Sequence, residues 1–181
     1  VKIGIEGVFM NEVLSAIKTR RSVRSYKRAK VDRSVIEQIL EAASWAPSGN
    51  NLQPWKFVVI TNETTISELA DLTVFGNWVR TAPCLIAVYY DRSRVDNSIF
   101  DAEMKHMQAI GAAIQNILLA AHSIGLGTCW IGEILKNQDK VNELLVIPQG
   151  LKLMAVITLG YPEKTSKSRR KPLDESILSW V

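Results

Sequence analysis

The chain is poor in several things that whole classes of protein need. Among its 181 residues are two cysteines and two histidines. Cys84 and Cys129 stand in apolar surroundings and form no paired framework, so a reducing compartment is expected. Neither has metal-ligand spacing, and His106 and His122 complete no cluster, so no metal is assigned. No serine or cysteine occupies a nucleophile turn, which leaves a hydrolase triad without its signature. Long apolar runs are missing too. The richest stretch, AIGAAIQNILLAAHSIGLG, contains Gln115, Asn116, His122 and Ser123, and reads as a buried helix and not a membrane span. VKIGIEGVF is short for a secretory leader and holds Glu6. Residues 1–9 are expected to be an extension ahead of Met10, and a cytoplasmic location is expected.

What is present is an ordinary globular composition, with 47% hydrophobic and 22% charged residues. The net charge of +4 is uneven, with much of the basicity in residues 18–33 and 164–171. Such patches suit an anionic ligand as well as a nucleic acid. The tail has no aromatics between its cations, which argues against a stacking platform for nucleic acid.

Periodicity predicts the elements. Val13, Leu14 and Ile17 share one helical face, and that helix should end near the arginines that follow. VDRSVIEQILEAASWAP gives a second helix. Ser34 and Glu37 have capping-box spacing, Val35, Ile36, Ile39, Leu40 and Ala43 form the stripe, and Pro47 is the stop. KFVVI, CLIAVYY, TCWI and LKLMAVITLG read as strands. TTISELADL and NQDKVNELL read as helices, and residues 98–124 as one long helix with Gly125 as its C-cap. Strands and helices interleave without strict alternation, so an α+β domain is expected.

Three stretches carry candidate chemistry. In GLGTCWIG the glycines close a helix and precede a strand, the reverse of a dinucleotide fingerprint, so a Rossmann site is rejected. RRSVRSY at residues 20–26 and KSRRKP at 167–172 set arginine forks beside hydroxyls. They are either solvated faces or two halves of one phosphate site. PSGNNLQPW is either plain turn chemistry or a set of small hydrogen-bonding groups for a heterocycle edge or a sugar. Trp55 is expected in the core.

RRSVRSY, APSGNNLQPWKFVVI, GAAIQNILLAAHSIGLGTCWIG and LGYPEKTSKSRRKPLDE, in this order and spacing, resemble the FMN-dependent nitroreductase family from about residue 10 onward. The resemblance implies one α+β domain over residues 10–181, with a short C-terminal arm over about 161–181. It implies a central mixed or antiparallel sheet flanked by helices, and an entwined homodimer with FMN sites at the interface. Carried onto this chain, Arg20, Arg21, Ser22 and Arg24 match the first flavin motif, for phosphate, ribityl and the pyrimidine end. Pro47, Ser48, Gly49 and Asn51 match a loop lent by the partner subunit. Asn77 and Arg80 match a polar pair at the pyrimidine edge. Ile131 and Gly132 match the segment whose backbone approaches flavin N5, and Arg169 and Arg170 match a second phosphate clamp.

The activity so implied is an NAD(P)H:acceptor oxidoreductase working by ping-pong hydride transfer through flavin N5. NADH or NADPH is the reductant, and a nitroaromatic, quinone or enone is the acceptor. No catalytic side chain is expected, because the cofactor carries the chemistry, and neither a nucleic-acid nor a membrane partner is expected. The chain lacks a long insertion after the central helix that shapes the acceptor pocket in some members. Phe75 and Trp130 are candidates to line that pocket, and Ile177, Leu178 and Trp180 are candidates to dock the arm. Reductive dehalogenation, flavin breakdown, and flavin or nucleic-acid binding without turnover are the alternative readings.

Overall fold

A strand that is apolar at nearly every position needs cover on both faces, and CLIAVYY finds it. The computed structural model describes residues 11–94, 102–164 and 166–181; the expected extension at 1–9 lies outside them. It contains strands β1 (Trp55–Ile60), β2 (Cys84–Asp91), β3 (Gly127–Ile131) and β4 (Leu151–Gly160). They form one sheet in the order β1-β2-β4-β3, and every neighbouring pair is antiparallel. All of β2 is buried.

The helices are α1 (Glu12–Thr19), α2 (Arg33–Ser44), α3 (Glu63–Asp71), α4 (Gly76–Val79), α5 (Ala102–Ser123) and α6 (Gln138–Leu144). Alternation along β2 splits the core in two. Cys84, Ile86, Val88 and Tyr90 join α2 and α5 through Ile36, Ile39, Ile110, Ile114 and Ile117. Leu85, Ala87 and Tyr89 join α3 and α6 through Ile66, Leu69 and Val141. Each fully buried aliphatic side chain of this kind contributes roughly 1.5–3 kcal/mol. Trp55 lies in the first of these cores, as expected.

Two details differ from the sequence reading. The second helix starts before the expected capping box. Asp32 holds the N-cap position, Ser34 lies inside the helix, and Glu37 pairs with Arg33 at 2.7 Å. The four-residue α4 was not anticipated, since one turn has no periodicity to detect. Described α5 begins at Ala102, and the expected stretch before it lies outside the described residues. Its end is as expected. Gly125 has φ 82°, and the Leu126 amide bonds back to the Ala121 carbonyl at 2.8 Å.

Helix α1 is unusual in burying nothing. Val13, Leu14 and Ile17 lie along its outward face, 64%, 38% and 47% exposed. Among the described residues, no helix is long and apolar enough to cross a membrane.

Candidate functional site

The chain leaves α1 at Arg20, whose amide still bonds to the Ala16 carbonyl at 2.9 Å. It then runs extended along the outer edge of β3. The Val23 amide donates to the Thr128 carbonyl at 2.9 Å, and Ser22 bridges Thr128 in parallel. Tyr26 locks the far end. Its buried hydroxyl donates to the Val23 carbonyl at 2.8 Å and lies 2.6 Å from Thr158 Oγ1. Arg20 to Arg24 are thus fixed by sheet-like pairing and are not a loose charged run.

The C-terminal tail returns to the same edge. Tyr26 bridges Pro162, and Ser166 Oγ donates to the Ser22 carbonyl at 3.1 Å. Between segment and tail lies a cavity of about 860 Å³, whose lining includes Arg20, Arg21, His122, Gly127, Lys167 and Arg169. Among the described residues, no carboxylate lines it. Arg20 Nε is buried without a hydrogen-bond partner. Burial, then Arg170, then Arg21 hold the Arg20 guanidinium below its ordinary pKa. A buried donor hemmed in by like charges is costly unless an anion satisfies it. Two arginine-rich stretches far apart in sequence therefore meet at one place, and the donors there suit a phosphate.

The other sequence candidates fall in three places. Arg24 extends from the same segment, its Cζ 5.9 Å from the centroid of the Trp78 ring, within cation–π reach. Asn77 is exposed on α4. Arg80 is engaged within its own fold. It donates to Asp71 Oδ1 at 2.9 Å, to the Gly76 carbonyl at 3.1 Å and to Ser67 Oγ at 3.3 Å.

Ile131 is buried at the end of β3, and Gly132 follows it. A Cβ added to Gly132 would meet nothing within 4 Å, so its backbone borders open space. Next comes Glu133, which sequence reasoning did not pick out. Its Oε2 accepts from Thr73 Oγ1 at 2.6 Å and from the Val74 amide at 3.2 Å, and Lys136 pairs with its other oxygen. Lys136, then Thr73, hold this carboxyl below its ordinary pKa. The turn after β3 is thereby tied to the segment carrying Phe75 and Trp78, whose rings lie 5.8 Å apart. Phe75 and Trp130 are 41% and 43% exposed.

Pro47, Ser48, Gly49 and Asn51 are not part of the cavity. Their loop makes a tight turn with φ 56° at Asn50 and 53° at Asn51, and Ser48 Oγ accepts from the Gln53 amide at 3.0 Å. It rests near the start of α5, where a Cβ on Gly49 would lie 3.3 Å from Lys105 Cδ. The cavity lies at the other end of α5, beside His122. At 1.5 Å per residue these two points on the helix are roughly 25 Å apart. One chain keeps the two groups of candidates apart.

Comparison with known proteins points to one family. The Nitroreductase family is matched over residues 17–75 and 72–161. A protein of Methanothermobacter thermautotrophicus, named "Putative NADH dehydrogenase/NAD(P)H nitroreductase", is 38% identical over 93% of this chain and 87% of its own length. The FMN reductase [NAD(P)H] of Bacillus subtilis is 28% identical over 90% of this chain and 71% of its own. Among solved structures, a "putative nitroreductase" of Desulfovibrio desulfuricans in complex with FMN superposes with a TM-score of 0.87. It is 41% identical, over 94% of this chain and 98% of that one. The chain belongs to the nitroreductase family, and its antiparallel sheet with flanking helices is the fold of that family.

Proposed function

We propose that the protein is an FMN-dependent NAD(P)H:acceptor oxidoreductase with flavin sites completed by a second copy of the chain. The observation that carries this reading is the buried, unpartnered Arg20 Nε in a cavity where both basic motifs meet and where no described residue brings a carboxylate. A phosphomonoester, with about −1.5 to −2 charges and three acceptor oxygens, suits that donor set. Arg20, Arg21 and Ser22 hold the phosphate from one side and Arg169 and Arg170 from the other.

Bound FMN supplies reversible hydride acceptance and release, which links a nicotinamide donor to a planar acceptor. The chain's own residues bind and orient. Arg24 is the cation available to offset negative charge at the pyrimidine end, since Arg80 is committed to Asp71. The Gly132 backbone faces open space and leaves room for close approach. Phe75, Trp78 and Trp130 offer aromatic surface to a nitroaromatic, quinone or enone. Pro47, Ser48, Gly49 and Asn51 serve the site of the opposite subunit, which their distance from their own cavity favours. The outward apolar face of α1 and the fully exposed Leu178 support burial against a second copy.

The test is an absorbance spectrum of the purified protein before and after anaerobic NADH or NADPH. Flavin bands that bleach are the expected result. A colourless protein that neither takes up FMN nor oxidises either nucleotide overturns the reading.

A further inference from the structure

Among the described residues that line the cavity, one has a charge that can change near neutral pH, His122, and its proton placement follows from two hydrogen bonds. Thr19 Oγ1 lies 2.7 Å from the Ser15 carbonyl oxygen. A carbonyl donates nothing, so the single hydroxyl proton of Thr19 is spent there. Thr19 Oγ1 also lies 2.8 Å from His122 Nε2. With its proton used, Thr19 is only an acceptor in that bond, and Nε2 carries the hydrogen. A second proton on this ring goes to Nδ1.

The charged groups of the cavity lining are Arg20 and Arg21 from the segment after α1 and Lys167 and Arg169 from the tail, all cationic. His122 itself sits in the last turn of α5. The carbonyl end of that helix favours a cation, whereas Arg20 and Arg21 oppose one. A phosphate entering the cavity reverses that opposition. Its charge offsets the arginines and offers the imidazolium an acceptor.

We propose that His122, fixed by Thr19, is a further phosphate-binding residue that takes up a proton as the FMN phosphate enters the cavity. This rests on the reading of the cavity as the FMN phosphate site. Before the phosphate arrives, burial, then Arg20 and Arg21, hold the imidazole below its ordinary pKa of 6.5, which keeps it neutral at pH 7. The residue therefore couples cofactor retention to pH in a way that the arginines cannot.

Calorimetric titration of the apoprotein with FMN and with riboflavin tests this, at pH 7 in two buffers of different ionisation enthalpy, so that protons taken up are counted. In the wild type, FMN binding is expected to take up several tenths of a proton more than riboflavin binding, a fraction set by how far the bound pKa rises above 7. His122→Gln is expected to abolish that uptake, leaving only the roughly one tenth of a proton that the phosphate, with its second pKa near 6, gives up on binding. It should weaken FMN about ten-fold, as loss of a charge-assisted hydrogen bond does, and leave riboflavin affinity unchanged. A wild type whose FMN binding takes up no more protons than its riboflavin binding overturns the proposal without recourse to the variant. So does a variant that loses FMN and riboflavin alike, which marks His122 as merely structural. Failure of the wild type to bind FMN at all overturns the underlying reading and this inference with it.

Discussion

A Cβ added to Gly127 would stand 2.7 Å from Val23 Cγ2, closer than such atoms approach in folded proteins. This glycine is what lets the first arginine motif lie against the edge of β3. Gly127→Ala should push the segment outward, at a cost of about 1–3 kcal/mol from overpacking. The expected result is a protein with a lower melting temperature and much weaker FMN retention, read by thermal melts and by flavin content after gel filtration. A variant that keeps full flavin would show that the segment's register does not matter to the cavity.

Arg20→Ala combined with Arg170→Ala should yield a folded protein that purifies without FMN. Arg20→Lys alone should hurt more than its conserved charge suggests, because a fork able to bridge two phosphate oxygens becomes a point charge. Flavin fluorescence titration reads both. Stoichiometric FMN in the double variant would remove the phosphate assignment.

Arg24 and Arg80 lie on neighbouring elements but should behave differently. Arg80 and Asp71 form an exposed pair, with side chains 41% and 68% accessible. Arg80→Ala should therefore cost about 1 kcal/mol or less and spare flavin reduction. Arg24→Ala should slow the anaerobic reduction by NAD(P)H about ten-fold or more, as removal of one stabilising charge at a reacting centre does. Stopped-flow absorbance distinguishes the two, and the opposite ranking would assign the role to Arg80.

Acid should loosen the apoprotein through its histidines. Burial, then Lys105, lowers the pKa of His106, and burial, then Arg20 and Arg21, lowers that of His122. Both bind a proton less readily in the fold than in the unfolded chain, whose ordinary value is 6.5. Their contribution is fully present above about pH 6.5 and is lost as pH falls through the depressed folded values. Melting temperature should fall between pH 7 and pH 5.5, and less so with FMN bound. A flat profile over that range would show that neither histidine is linked to folding.

Much of this was legible in the chain, and the exceptions have physical causes. The arginine-serine stretches stood out because their residue types already announce an anion, and the fold brings both to one cavity wall. The all-apolar β2 and the glycine after α5 were legible because burial and left-handed backbone leave local marks. The start of α2 was misplaced because Asp32 and Ser34 are both good caps, and only the tertiary fold decides between them. The Arg80–Asp71 pair joins two separate elements, and the reach of Glu133 to Thr73 spans sixty positions, so neither leaves a local pattern. His122 read as a helix histidine because its partner Thr19 is more than a hundred residues away.

Helix α5 holds the arginine cavity near one end and the Pro47–Asn51 turn near the other, and under the proposal that a second copy completes each flavin site, a defect at either end spoils a different half of it. A chain lacking the arginine clamp and a chain with a ruined turn should each be inert alone. Unfolded together and refolded, they form mixed pairs in which one pocket inherits both defects and the other inherits neither. Random pairing should then restore about a quarter of normal turnover from two dead parents. Such rescue is genetic complementation written into the length of a single helix.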